Sequence, residues 1–294
     1  MARIPRVLSI AGSDSGAGAG IQADLKAFAA CGVHGMTAIT AITAQNTTAV
    51  SAVHAIPPET IVAQVRAVAQ DIGVDAVKIG MLGDRPTIEA VARALDELAE
   101  DTPVVLDPVM VAESGAELLE PAARSALVEL LLPRATVVTP NVAEAMALVG
   151  EQSADDVERL ARRIHALGPR AVVVTGGHRG EAIDVFFDGE RLVELPGPRH
   201  PDGATHGSGC THSSVLAARL AHGDGPLEAA RTAKELAARA VAQGLREIGA
   251  GAGPVDILGI ASKADQTAPS PTGEEAARAP EGHEGRLAGG KVLT

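Results

Sequence analysis

Residues 76–106 read AVKIGMLGDRPTIEAVARALDELAEDTPVVL. Ala76–Ile79 and Val104–Leu106 are short apolar runs, and between them Arg85–Ala99 repeats its apolar residues at helical spacing. Strands that are nearly continuously apolar are covered on both faces, and two of them joined through a helix run parallel. The unit recurs along the chain. Further strand-like runs are Arg6–Ala11, Gly35–Thr43, Thr136–Val138 and Ala171–Thr175. Further helix-like runs are Ile21–Ala30, Pro58–Asp71, Ala122–Leu131, Asp155–Leu167, Ser213–Ala221 and Leu227–Ile248. The alternation predicts an α/β fold with a mostly parallel central sheet and helices on both faces. Ala182–Phe187 and Arg191–Leu195 flank Asp188-Gly189, a two-residue hairpin signal, so the late edge is antiparallel. Ligands of such sheets sit beyond the carboxyl ends of the strands.

The 294 residues fit one large α/β domain or two small ones, and the folded pattern occupies residues 1–260. From 261 to 294 the chain is rich in Ser, Pro, Gly, Glu and Ala without a period, and reads as a disordered tail. Lys and Arg number 25 against 37 Asp and Glu, a net charge of −12, with no basic cluster. A polyanion binder needs a basic face, so nucleic acid and anionic membranes are excluded as partners. With no Trp, no Tyr and 3 Phe, base-stacking platforms are excluded too. Cys31 and Cys210 make no disulfide framework, and Met1–Ile10 is too short for a secretory segment, which points to the cytoplasm. Ala27–Pro58 lacks any Asp, Glu, Lys or Arg. Its Thr, Gln, Asn and His residues disqualify a lipid-facing span, so it reads as a buried strand entering a polar, substrate-facing loop.

Two glycine loops open helices. The first, Gly12–Gly20, has neither the Lys of a phosphate-binding P-loop nor the small residue that a dinucleotide fingerprint needs at Ile21. It is either a flexible turn or a place where a small molecule approaches the backbone closely. The second, Thr205–His212, exposes free N–H groups at a helix start, an anion site whose field favours a thiolate at Cys210. A capped helix with an inert buried thiol explains the same residues. Asp107 follows an apolar strand, and a carboxylate there suits water-bridged Mg²⁺. Asn141 and Glu144, three apart at a helix start after another strand, suit the same metal and equally form an ordinary N-cap and capping-box pair.

In order along the chain stand Ala11–Lys26 (AGSDSGAGAGIQADLK), Thr40–Thr47 (TAITAQNT), Lys78–Gly83 (KIGMLG) and Asp107–Gly115 (DPVMVAESG). Thr139–Glu144 (TPNVAE), Gly176–His178 (GGH), Thr205–Thr211 (THGSGCT) and Ala233-Lys234 follow. Together they resemble the hydroxymethylpyrimidine and hydroxymethylpyrimidine-phosphate kinases of thiamine biosynthesis, in the ribokinase-like superfamily. The resemblance covers about residues 5–258.

It implies a three-layer α/β/α ribokinase-like fold, ATP with Mg²⁺, and two successive phosphorylations of one pyrimidine. Asp24 and Gln45 would hydrogen-bond the aminopyrimidine edge, Met81 and Val109 would cover its faces, and Gly12 would line the same pocket. Asn141 and Glu144 would organise Mg²⁺ and triphosphate, with Lys234 near the adenosine and Asp107, Thr175 and Thr211 completing that side. The metal would rest on Glu144 and Asp107. The Gly207, Ser208, Gly209 and Cys210 amides would hold the migrating phosphoryl group, and Cys210 as thiolate would accept the hydroxyl proton. Two positions depart from the family: Thr175 and Glu113 stand where relatives often carry Lys. A homodimer is the expected assembly. The rival readings are a pyridoxine or pyridoxal kinase on the same scaffold and a ligand-binding protein without turnover.

Overall fold

Val7, Leu8, Ile10, Val77 and Ile79 have no exposed surface, because their strands lie mid-sheet with helices on both faces. A computed structural model of the chain describes residues 3–153, 156–176 and 182–267. The first half runs β1 (Arg6–Asp14), α1 (Gly20–Ala30), β2 (His34–Gln45), β3 (Val50–Ala55), α2 (Pro58–Asp71), β4 (Ala76–Ile79), α3 (Arg85–Leu95) and β5 (Val104–Leu106). Then come α4 (Arg124–Ala126), β6 (Val137–Val138), α5 (Val142–Val149), α6 (Val157–His165), β7 (Ala171–Val174), β8 (Asp184–Phe187) and β9 (Leu192–Leu195). Helices α7 (Ser208–Ala221), α8 (Pro226–Ala242) and α9 (Ile260–Thr267) close the series. Among the described residues the strands form one nine-stranded sheet in the order β3-β2-β1-β4-β5-β6-β7-β8-β9. Strands β2 to β7 of that order are parallel, while β3 pairs antiparallel with β2, β8 with β7, and β9 with β8.

Sequence-local chemistry explains most boundaries. Asp84 caps α3 by accepting from the Thr87 N–H, and Ile88, Val91 and Leu95 then fall on one buried face. Pro58 opens α2, which buries Ile61 and Val65 one turn apart. One core layer lies under α2, α3, α5 and α6, and the other under α1, α7 and α8. These are the three layers expected.

Five expectations change. Strand β3 replaces part of the polar loop; Asn46 Oδ1 accepts from the Thr48 and Ala49 N–H groups, making a turn that contains no glycine. Helix α7 begins at Ser208 rather than Ser213, and α8 ends at Ala242 rather than Ile248. Pro121–Arg134 winds through 3-10, α and π turns instead of one regular helix. Residues 261–267, assigned to the tail, continue α9, whose first N–H groups donate to the buried Asp256 carboxylate. The remainder of the tail lies outside the described residues. No helix among the described residues is long and apolar enough to cross a membrane.

Candidate active site

A cavity of about 460 Å³ lies at the carboxyl ends of the parallel strands. Its lining extends from Gln45 at the end of β2 to Asp184 at the start of β8. Six strand spacings separate those two strands in the sheet, about 29 Å at the usual spacing. That is room for two small molecules end to end.

The two glycine loops interlock beside it. The Asp14 carboxylate accepts from the Gly16, Gly18 and Ala19 N–H groups at 2.8–3.0 Å and lies 3.0 Å from His206 Nε2. Burial pushes its pKa up, but His206 and the amides outweigh burial and hold it below the usual carboxylate value. A Cβ at Gly18 would strike the His206 ring, and one at Gly207 (φ +82) would strike the Gly18 carbonyl. Gly207 is the N-cap of α7 and has no side chain to cap with, so among the described residues the Gly209 and Cys210 amides have no protein acceptor. A Cβ on Gly209 would meet nothing within 4 Å. Open donors around open space fit a phosphoryl group.

Charge beneath this cradle is concentrated in four groups. Lys78, the one charged residue of β4, is fully buried, 2.9 Å from Asp24 Oδ1 and 4.0 Å from Asp107 Oδ2. Burial works to neutralise it, yet Asp24, Cys210 and Asp107 hold its pKa above the usual lysine range. Asp107 accepts from Ser213 Oγ at 2.9 Å; burial raises its pKa, with Lys78 and Ser213 opposing and Asp24 adding. Glu144 accepts from the Asn141 and Met110 N–H groups at 2.9 and 3.3 Å. Burial and then Asp107 push its carboxyl up to about 8, against the pull of those amides. Two neighbouring carboxylates, each made reluctant to ionise, suit a hard divalent cation. No group of three His, Cys, Asp or Glu among the described residues could hold a metal alone. The Asp107 and Glu144 carboxylates as a pair fit Mg²⁺, which binds through one or two carboxylates and completes its shell with water and phosphate.

Of the residues singled out in the sequence, Gly12, Gln45, Met81 and Val109 line the β1–β5 side of the cavity. Asp107, Asn141, Glu144, Thr175 and Lys234 line it as well, as do Gly207, Ser208, Gly209 and Cys210. Asn141 and Glu144 also form the complete capping box of α5, so both readings of the pair hold. Lys234 is paired with Asp184 at 2.7 Å, and Thr175 donates its N–H to the Pro140 carbonyl. Glu113 accepts from Thr205 Oγ1 at 2.8 Å, joining the loop after β5 to the second glycine loop. Gly176 donates to Asp184, while Gly177 and His178 of the same motif lie outside the described residues.

Three residues have surroundings that differ from those expected. Asp24 is fully buried and absent from the lining, its oxygens taken by Ser9, Lys78 and Ser214. In this structure it is the counter-ion of Lys78, at 2.9 Å. Thr211 is also fully buried and outside the lining, because its place on α7 turns it into the core. Burial pushes the Cys210 thiol up to about 12, with Asp24 and Asp107 adding, and Lys78 and the Gly20 N–H do not offset them, which works against the expected thiolate. Lys78, Asp14 and His206 were missed as site residues. A lysine inside an apolar strand was the available signal for the first; the other two act through contacts made across 192 residues of sequence.

The family described as phosphomethylpyrimidine kinase matches residues 14–256. A hydroxymethylpyrimidine/phosphomethylpyrimidine kinase of Rhizobium meliloti is 52% identical over 254 residues, covering 84% of this chain and 95% of that protein. A solved ADP complex of Bacillus subtilis pyridoxal kinase superposes with a TM-score of 0.79 at 40% identity, covering 88% of this chain and 99% of the other. A solved phosphomethylpyrimidine kinase of Clostridium difficile gives 0.69 at 40% identity, covering 79% and 96%.

Proposed function

The chain belongs to the phosphomethylpyrimidine kinase family, and from that premise we propose that it uses ATP to phosphorylate 4-amino-5-hydroxymethyl-2-methylpyrimidine and then the monophosphate. The observation that carries the reading is the cradle of unpaired Gly209 and Cys210 amides midway along a two-ligand cavity. The heterocycle lies on the β1–β5 side between the apolar faces of Met81 and Val109. Thr43 Oγ1 donates to the Ser13 carbonyl at 2.8 Å and stands 3.1 Å from the Gln45 amide, which keeps that amide at the pocket to hydrogen-bond the polar edge of the heterocycle. That orients the hydroxymethyl oxygen toward the cradle.

Transfer passes through a loose transition state, so alignment and charge stabilisation outweigh base strength. The cradle amides hold the migrating group in line, and Lys78 sets a buried positive charge beneath it, tempered by Asp24. Glu144 and Asp107 would hold Mg²⁺, which supplies charge neutralisation to the triphosphate. Cys210 contributes its N–H and a neutral thiol that accepts from the Gly20 N–H. A homodimer in the cytoplasm belongs to the same reading, checked by light scattering at twice the chain mass.

The structural likeness to pyridoxal kinases favours one second reading, because Met81 and Val109 would also cover a pyridine ring. A coupled ADP-release assay with hydroxymethylpyrimidine, its monophosphate, pyridoxine and ribose separates the two. Mass spectrometry should find the pyrimidine mono- and diphosphates. Phosphorylation of pyridoxine alone would overturn the assignment.

A further inference from the structure

His212 lies two residues beyond Cys210 on α7, about 200° around the helix. The Cys210 side chain feels Lys78, Asp24 and Asp107, on the side of β1, β4 and β5. His212 faces the other way, toward Asp184 of β8 and Lys234 of α8. It lines the cavity, is 5% exposed, and among the described residues neither ring nitrogen has a hydrogen-bond partner. Asp184 Oδ2 lies 3.8 Å from Nε2, beyond hydrogen-bonding reach. Its partner atom Oδ1 is already occupied by Lys234 and the Gly176 N–H. A buried imidazole without partners is costly, and native proteins rarely leave one so unless a ligand completes it.

The position of that ligand follows from the order of elements. The pyrimidine side of the cavity is built from β1, β2, β4 and β5, and the cradle follows at the start of α7. Beyond the cradle the lining passes to β8 and α8, with the small apolar Ala237, Val241 and Pro198 as walls. A phosphoryl donor whose terminal phosphate sits in the cradle therefore extends its nucleoside into the His212 side. The ion pair of Asp184 and Lys234 is already matched there, whereas the imidazole has one donor and one acceptor to offer. Burial, with Lys234 adding and Asp184 opposing, holds His212 below the ordinary histidine pKa, so it meets its ligand uncharged.

We propose that His212 is a contact residue for the phosphoryl donor, its imidazole hydrogen-bonding an uncharged group of the nucleoside, either a ribose hydroxyl or the purine edge. The assignment rests on the kinase reading above. Calorimetric titration of ADP with Mg²⁺ into wild type, His212→Leu and His212→Gln tests it. His212→Leu should weaken ADP about 3–10-fold, the worth of one or two net hydrogen bonds, and His212→Gln should recover most of that. The KM for ATP should rise in His212→Leu while the KM for the pyrimidine stays within twofold.

A merely structural histidine is distinguished by the ligand-free melting temperature. Removing an orphaned polar ring should leave that temperature unchanged or raised, and should shrink only the increment produced by ADP. Titrating 2′-deoxy-ADP, 3′-deoxy-ADP and inosine diphosphate identifies the edge, since the variant should lose the discrimination that its imidazole supplied. A wild type without affinity for ADP overturns the kinase reading itself. A wild type that binds ADP beside a His212→Leu that binds it equally, or discriminates as before among all three analogues, overturns the contact alone.

Discussion

Cys210 and Glu144 lie in one cavity and have both been moved up in pKa, with opposite consequences for their proposed work. A helix N-terminus contributes about 0.3–1 kcal/mol toward a thiolate, which is small against burial beside Asp24 and Asp107. Iodoacetamide should therefore alkylate Cys210 far more slowly at pH 7.5 than it does free cysteine, as peptide mass spectrometry would read. Cys210→Ser should keep kcat within about fivefold from pH 6 to 9; a fall of about 10²–10⁴ would restore the cysteine as a base. Glu144 moves from an ordinary value of 4.5 to about 8. Across that window the native state holds a proton that the unfolded chain has lost, so stability falls as pH rises. The ligand-free wild type should lose melting temperature between pH 5 and 8 more steeply than Glu144→Gln, which carries no titrating carboxyl there. Parallel profiles would sink this account of Glu144. Magnesium and ADP should reverse the trend, since both gain as the carboxyl ionises.

The loop-to-helix junctions show what a chain reveals about its own elements. Strands β4 and β5 and helix α2 are legible to the residue, because apolar runs, proline and caps act within a few positions. The start of α7 is not: Gly207-Ser208-Gly209 looks like loop, and its helical state depends on Gly18 and Asp14 far away in sequence. Asp24 misled for the same reason, since only the fold brings Lys78, Ser9 and Ser214 around it. Capping by Asn141 and Glu144 was legible, but the nearness of Glu144 to Asp107 was not. The interlock makes two neighbouring glycines behave differently. Gly207→Ala forces a side chain into φ +82, about 1–2 kcal/mol, and drives it against the Gly18 carbonyl, so melting temperature and ATP affinity should fall together. Gly209→Ala places its methyl in open cavity, so the fold should hold while kcat drops. An unaltered melting temperature in Gly207→Ala would show that the loops are not locked.

Across the whole molecule the chemistry and the acid surplus are kept apart. On the proposed reading, a chain of net charge −12 handles phosphate through backbone amides and one buried lysine, with every assigned side chain between Gly12 and Lys234. The family match ends at residue 256, and beyond Thr267 the sequence holds no apolar period that could build a core. Ending the chain after Thr267 should leave melting temperature and turnover unchanged within error. A cut only eight residues earlier should act differently. Asp256 is 2% exposed, and its two carboxylate oxygens accept from the Ile260 and Ala261 N–H groups at 2.8 and 2.9 Å. Ending at Gly259 removes both donors and leaves a buried carboxylate to be solvated or protonated, a loss of about 1–3 kcal/mol or more. At about 2–4 °C per kcal/mol for a domain of this size, the melting temperature should drop by several degrees. Asp256→Asn in the shorter chain removes the uncompensated charge and should recover part of that drop. Equal melting temperatures for the two truncations would show that Asp256 has other partners, and a loss of turnover on ending after Thr267 would make the last residues part of the enzyme.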